Sequence, residues 1–183
     1  MVLLESTLNN LNEKLPSFTL KDPSGASYGL SDLIGEKGLL VAFTCNHCPY
    51  AIAVWDRLIH LSTDLEPLGI NTVAINPNIN PNYPEDSPEN MSKFVEKVNL
   101  PFPYLVDETQ SVAKKWSAVC TPDFFLIDAR QTLYYRGRLD DNWQDATAVS
   151  TQDLKEAAHL LSQSQTAPNP QYPSMGCSIK WMN

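Results

Sequence analysis

Positive charge is scarce in this chain. Lys and Arg number 13 against 21 Asp and Glu, which gives a formal net charge of −8 and a pI near 4.7. A protein that grips phosphate backbones needs a basic face, so the balance argues against nucleic acid as a partner, and equally against an anionic membrane surface. Long apolar runs are missing too. The longest, "GLLVAFTC" over 38–45, falls far short of the roughly 20 residues that a membrane span requires. The opening "MVLLESTLNNLNEKLPSF" has neither a basic start nor a continuous apolar stretch, so no signal peptide is expected and the expected compartment is the cytoplasm. There is no internal repeat and no Gly-x-Gly-x-x-Gly fingerprint, so no dinucleotide or other organic cofactor is expected. A second Cys-x-x-Cys is also absent, and with it the usual four-thiolate pattern of zinc and iron–sulfur sites.

What is present is a chain of 183 residues, 43% hydrophobic and 19% charged, the size and composition of one domain with a real core. The stretch 16–38 alternates apolar and polar residues around a turn at 22–25 and reads as a hairpin. "GLLVAFT" is a continuous apolar run of strand length, the signature of a strand covered on both faces. From Pro49 to about Leu68, Val54, Leu58, Leu61, Leu65 and Leu68 recur at helical spacing, with Asp56, Arg57, His60 and Asp64 opposite. "INTVAINPN" predicts a strand, followed by an Asn/Pro-rich loop over 76–90. Ser87 as N-cap with Pro88 at the first helical position starts a helix to about Val98. "FPYLVD" reads as a short strand, "ETQSVAKKWSAV" as a helix, and "DFFLID" and "TLYYRGRL" as two strands joined near residue 129. Ser150 and Asp153 form a capping-box-like start to a last helix through Leu161. The expectation is an α/β domain, a central mixed sheet flanked by helices, with a core over about 15–165 and an extended C-terminal tail over 166–183. Met175, Cys177, Ile179 and Trp181 make that tail more apolar than a solvated segment needs, so packing back on the domain is open to it.

The chemistry concentrates in "TCNHCPY". Cys45 and Cys48 lie where the buried strand runs into the long helix, and the unpaired N–H groups of a helix start favour an anion, here a thiolate. Two intervening residues let both sulfurs approach across one turn of chain, as dithiol–disulfide exchange requires. A helix beginning at Pro49 leaves Cys48 at the N-cap and Cys45 on the preceding loop, whereas a helix from Cys45 would be distorted by Pro49. Either sulfur can then be the attacking one. In "VCTPDFFLID", Thr121-Pro122 precedes a strand with breaker chemistry that an ordinary loop does not require, and X–Pro bonds are the ones able to be cis.

These elements in this order resemble the thioredoxin superfamily, and within it the peroxiredoxin-like branch, the redoxin or alkyl-hydroperoxide-reductase/thiol-specific-antioxidant group. The strings "CNHCPY", "YPEDSPENM", "CTPDFF" and "PSMGCSIKW" are similar to those of a group of thioredoxin-like proteins. The resemblance implies a thioredoxin-like fold, Cys45 and Cys48 as a redox pair, and Pro122, after Thr121, as a cis-proline beside it. It departs from the peroxidase pattern. In Pro-x-x-x-Thr-x-x-Cys, aligned on Cys48, the threonine position is Cys45 and the proline position Val41, and the arginine expected ahead of the "FFLID" strand falls on Pro122.

Further residues carry paired readings. His47, between the sulfurs, either stabilises a thiolate or ligates a metal, or is a solvated loop side chain. Cys120 is a redox partner, a metal ligand or packing. Cys177 is a resolving thiol if the tail folds over the site, or an unused surface thiol. His60 and His159 fall on polar faces, Trp55 and Trp116 on core faces, and Tyr50 at the rim of the site. Asp140, Asp141 and Trp143 carry no assigned chemistry. The leading expectation is a thiol–disulfide oxidoreductase acting on protein disulfides, with an external thiol reductant as electron donor. The alternatives are a Cu(I)- or zinc-binding module using Cys45, His47 and Cys48 with Cys120 or Cys177, a weak thiol peroxidase, and a redox-switched binding protein using the acidic surface and the 76–90 loop.

Overall fold

The computed structural model describes residues 3–182, and Met1, Val2 and Asn183 lie outside it. Its spine is β4 (Gly38–Phe43), buried at every position. This strand runs parallel to β5 (Ile70–Asn76) on one side and antiparallel to β8 (Asp123–Asp128) on the other. Successive side chains of a strand point to opposite faces, and β4 is apolar on both. Leu40 and Ala42 enter one hydrophobic cluster, and Leu39, Val41 and Phe43 the other. The remaining strands are β2 (Thr19–Lys21), β3 (Ser27–Gly29), β6 (Tyr104–Val106) and β9 (Leu133–Gly137). They complete a seven-stranded mixed sheet of order β3-β2-β6-β5-β4-β8-β9.

Helices α2 (Pro49–Leu65) and α5 (Asp153–Ser162) cover the first face through Val54, Leu58, Leu61, Leu154 and Ala158. The second face is closed by Leu15 and Phe18, by Leu30 and Leu33 of α1 (Leu30–Leu33), and by Val112 and Ala113 of α4 (Ser111–Lys115) with Trp116 after it. In α3 (Pro88–Val98), the Ser87 hydroxyl accepts from the Asn90 N–H at 3.3 Å, the expected N-cap. Trp55 and Trp116 are both core residues, and His60 and His159 are exposed.

Several elements differ from their sequence patterns for identifiable reasons. α2 ends at Leu65 and the chain tightens into a 3₁₀ turn over Glu66–Leu68, because Pro67 has no N–H to continue the ladder. α4 covers only 111–115 of the helical pattern, ending where Ser117 takes a left-handed φ of 59°. The capping box at Ser150 and Asp153 does not form. Gln152 is the N-cap of α5, while Ser150 is held by Asp141 through its backbone N–H at 2.9 Å and through its hydroxyl.

The largest correction concerns the tail, which is not an extended appendage. β10 (Met175–Ser178) pairs antiparallel with β1 (Leu3–Glu5) along one edge and with β7 (Cys120–Thr121) along the other, making a second, three-stranded sheet. On one side of β10 the Ser6 N–H donates to Ser174 O at 2.8 Å and the Ser174 hydroxyl to Gly137 O at 2.6 Å. On the other, the Ile179 N–H donates to Val119 O at 3.0 Å and the Lys180 N–H to Asn78 Oδ1 at 2.8 Å. Ile179 is buried in the second core cluster, whereas Trp181 remains 41% exposed. Among the described residues, no helix is long and apolar enough to cross a membrane.

The approach of β10 to β7 depends on Gly176. A Cβ there would stand 2.1 Å from the Thr121 carbonyl oxygen. Gly176→Ala is therefore expected to force β10 outward and to cost about 1–3 kcal/mol, as overpacking does. Urea denaturation measures it, and an unchanged midpoint contradicts the close docking of this strand.

Candidate functional site

The site forms at the C-terminal end of β4. After Phe43 the chain stays tied to β5, with the Thr44 N–H donating to Ile75 O at 2.9 Å, and then turns through 45–48 into α2. Pro49 is the first helical residue and Cys48 the N-cap, with extended backbone (φ −77°, ψ 123°). The turn is clamped from several elements. The Trp55 indole N–H reaches Cys45 O at 3.4 Å, the Tyr104 hydroxyl donates to Asn46 Oδ1 at 3.1 Å, and the Asn46 side chain donates to Glu85 O at 3.0 Å.

The Thr121–Pro122 peptide bond is cis, as expected, and a second cis bond, Asn169–Pro170, lies in the tail. Thr121 meets both sulfurs of the pair. Its hydroxyl is 3.2 Å from Cys45 Sγ, and its carbonyl oxygen lies 3.2 Å from Cys48 Sγ, from which it accepts a hydrogen bond while that sulfur is protonated. Because β10 pairs Cys177 with Thr121, the tail thiol joins the same group, and Cys45, Cys48, Ala51 and Cys177 form one small cluster with Tyr50 packed against it. None of the four cysteines is in a disulfide. Cys120, one residue before Thr121, takes the other side of the strand, where its thiol contacts Pro122 O at 3.6 Å. Burial pushes its ionisation far up. Cys120 is therefore not part of the cluster of the other three, although Cys48 and Cys177 are near enough to add to the rise in its ionisation.

One negative charge is shared unequally in the cluster. The Cys45 thiol beside it draws the Cys48 sulfur down to about 5, against the opposing effect of burial, with further help from the Cys177 thiol and the N–H groups of Ala51 and Cys177. The Ala51 N–H falls short of a capping hydrogen bond in geometry, so it acts as a dipole rather than a formal bond. Cys45 moves the opposite way, raised by burial and by the neighbouring Cys48 and Asp86. Cys177 is pushed up to about 12 by burial and by Cys48. Cys48 is thus the thiolate, flanked by two protonated thiols. None of the three is open to solvent, at 0% exposure for Cys45 and Cys48 and 2% for Cys177. The tail strand, through Cys177, and α2, through Ala51, are both part of this enclosure.

His47 is not a solvated loop side chain. Its Nδ1 pairs with the fully buried Asp86 carboxylate, its ring stacks 4.3 Å from Tyr83, and Lys180 of the tail lies 5.5 Å over that tyrosine. Asp86 also accepts from the Asn46 N–H at 2.6 Å and from Asn76 Nδ2 at 3.1 Å, so it fixes the turn as well as the imidazole. The sequence reading missed this residue. It comes from the Asn/Pro-rich loop, where no spacing or pattern marks an acidic side chain as buried. Ligand atoms of Cys45, His47 and Asp86 lie within 4.8 Å of one another and could hold a metal ion, although the carboxylate already has three hydrogen-bond partners. Tyr50 sits at the rim and stacks on Trp143, ring centroids 4.0 Å apart. Trp143 in turn lines a cavity of about 230 Å³ with Val54, Pro122, Phe124 and Met175. Asp140 binds Arg57, whose guanidinium also reaches Trp143 O at 2.7 Å, so this pair holds the cavity wall.

Cys48 is held lower in the fold than in an unfolded chain. Its ionisation therefore stabilises the reduced fold in full above the unfolded value of about 8.5, and that contribution is lost as pH falls towards 5. Ultraviolet thiolate absorbance of the reduced protein is expected to titrate with a midpoint of about 5. Cys48→Ser should remove that transition, and Cys45→Ala should raise it by about one unit or more by deleting the principal donor. An ordinary midpoint in the unaltered protein contradicts the assignment.

Two solved structures resemble the whole chain. An uncharacterised conserved protein from Geobacillus kaustophilus is 40% identical, with a TM-score of 0.94 over 100% of this chain and 97% of that one. A hypothetical protein from Sinorhizobium meliloti 1021 is 35% identical, with a TM-score of 0.91 over 97% and 98%. A peroxidoxin, BcpB, from Mycobacterium tuberculosis shares the thioredoxin-like fold at 16% identity and a TM-score of 0.62, covering 85% of this chain and 97% of its own. Among curated proteins, one from Mycobacterium tuberculosis assigned provisionally as a peroxiredoxin is 29% identical over 110 residues, 58% of this chain. The match spans 62% of that relative's length. The thiol-disulfide oxidoreductase ResA of Halalkalibacterium halodurans is 26% identical over 125 residues, 68% of this chain and 66% of its own. Residues 11–136, well over half of the chain, match the AhpC/TSA family, and the chain belongs to that family.

Proposed function

We propose that this protein is a thiol–disulfide oxidoreductase working on protein disulfides through Cys45 and Cys48. The observation that carries the reading is the Cys48 sulfur at the N-cap of α2, drawn down to about 5 beside a protonated Cys45. Cys48 attacks one sulfur of a target disulfide, forming a mixed disulfide and releasing the other target sulfur as a thiolate. Cys45 then attacks Cys48 Sγ, releases the second target thiol and closes the Cys45–Cys48 disulfide. Thr121 orients both steps through its hydroxyl and carbonyl. The proposed electron donor is an external thiol reductant, with no organic cofactor. The family membership and the likeness to a thiol-disulfide oxidoreductase support the class of chemistry. Peroxide reduction is less well supported, since Cys45 and Pro122 occupy the positions where a peroxidase places its threonine and arginine.

One observation favours a second reading, the grouping of Cys45, His47 and Asp86, whose thiolate, imidazole and carboxylate would suit zinc better than Cu(I). Metal analysis of anaerobically purified protein separates the two readings, because stoichiometric metal on Cys45 would block its second step.

Turnover of insulin disulfides with a dithiol reductant is the direct test. Cys48→Ser is expected to fall to the uncatalysed rate. A thiolate this acidic stabilises the reduced form, so the reduction potential should lie between about −270 and −120 mV, the values of thioredoxin and DsbA. A potential below about −300 mV, as structural disulfides have, overturns the reading.

A further inference from the structure

Three sulfurs, not two, meet at the start of α2, and the third arrives on the C-terminal strand. We propose that Cys177 is a third redox-active thiol, one that resolves the mixed disulfide on Cys48 by forming a Cys48–Cys177 bond. The inference rests on the proposed role of Cys48 as the attacking group and adds a second route out of its first intermediate.

The placement is over-determined. Cys177 lies in register with Thr121, whose carbonyl touches Cys48, and with Leu3 on the opposite edge, so its backbone is held from both sides. Gly176 permits the close approach, because any side chain there would collide with Thr121 O. Both the thiol and the N–H of Cys177 contribute to holding the Cys48 anion, which puts its sulfur within interaction distance before any reaction begins. The contrast with Cys120 sharpens the assignment, since that thiol is also buried in β7 but is turned towards Pro122 O. The electrostatics suit a resolving group. Apart from burial, the influences that keep Cys177 protonated come from Cys48, and they disappear once Cys48 is tied up in a neutral mixed disulfide, leaving the favourable influence of Lys180.

The steps balance. The oxidant is the substrate disulfide. Cys48 thiolate displaces one substrate thiolate and becomes the mixed disulfide. Cys177 then attacks Cys48 Sγ, its proton passing to the departing second substrate thiolate. Two protein thiols are oxidised and one substrate disulfide becomes two thiols. Attack of Cys45 on Cys48 Sγ afterwards transfers the bond to Cys45–Cys48 and returns Cys177 as a thiol, so the disulfide that staples the tail is transient while Cys45 is present.

The test uses full-length protein oxidised with glutathione disulfide, quenched in acid and mapped by peptide mass spectrometry. Cys45→Ser retains Cys48, Cys120 and Cys177, and its thiol count is expected to fall from three to one, with a Cys48–Cys177 peptide. Cys45→Ser with Cys177→Ser should stop at Cys48 bearing glutathione, and its mixed disulfide should persist at least about tenfold longer. If the Cys45→Ser chain also stops there, Cys177 is not a resolving thiol. In that case, closure of Cys45–Cys48 in the unaltered protein leaves the proposed function standing, whereas failure of Cys48 to react at all removes both. Should Cys45→Ser not fold, an acid-quenched time course on the unaltered chain reads the same point. Cys48–Cys177 is expected before Cys45–Cys48, and its absence at every time overturns the inference.

Discussion

Thr121 is the residue on which the site is assembled. Its hydroxyl reaches Cys45, its carbonyl reaches Cys48, and its backbone pairs with Cys177, so three thiols from two distant parts of the chain converge on one residue of a two-residue strand. That meeting of the 45–48 turn with the tail strand depends in turn on β4 and β8 running antiparallel through the middle of the sheet. Phe43, at the end of β4, lies opposite Asp123, two residues from Thr121. The double apolar face of β4 fixes the depth at which the turn over 45–48 emerges, and the buried Arg136–Asp123 ion pair, with Arg136 also donating to Ser117 O at 2.7 Å, anchors the start of β8 beside it.

Enclosure and charge pull against each other here. Removing a thiolate from water is unfavourable, and burial raises every cysteine in the cluster. Only Cys48 moves down on balance, because donors surround it, and the tail strand supplies two of them. The strand that shuts out solvent therefore also provides hydrogen-bond donors in its place. His47, locked on Asp86 and covered by Tyr83, belongs to the wall of this enclosure and not to its mouth. The cavity beside Pro122 is lined by Trp143, on which Tyr50 stacks, and by Met175 of the tail strand.

Much of this could be read from residues alone, because the signals were local. The apolar run 38–43 marked a doubly covered strand, Ser87-Pro88 marked a helix start, and Pro49 offered Cys48 as the N-cap, the alternative that the structure adopts over a helix from Cys45. The apolar positions of the tail hinted at packing, but not that β10 would become the middle strand of a second sheet. Strand pairing between residues 170 to 174 positions apart leaves no local periodicity. Asp86 was invisible for a related reason. Its burial comes from Asn76, Asn46 and His47 closing on it, and an acidic residue among Pro, Glu and Ser looks like any solvated turn. The capping box failed through competition, since Asp141 took Ser150 first.

The pairing of β1 with β10 ties the two ends of the described chain together at the sulfur cluster. Leu3, near the very front, faces Cys177 across the ladder. A trimming protease, an acetyl group or an affinity tag acting on the first few residues would therefore be felt at the sulfur cluster, although some forty residues of sequence separate them from Cys45. Laboratory choices about where to attach a purification handle thus become choices about the chemistry being measured.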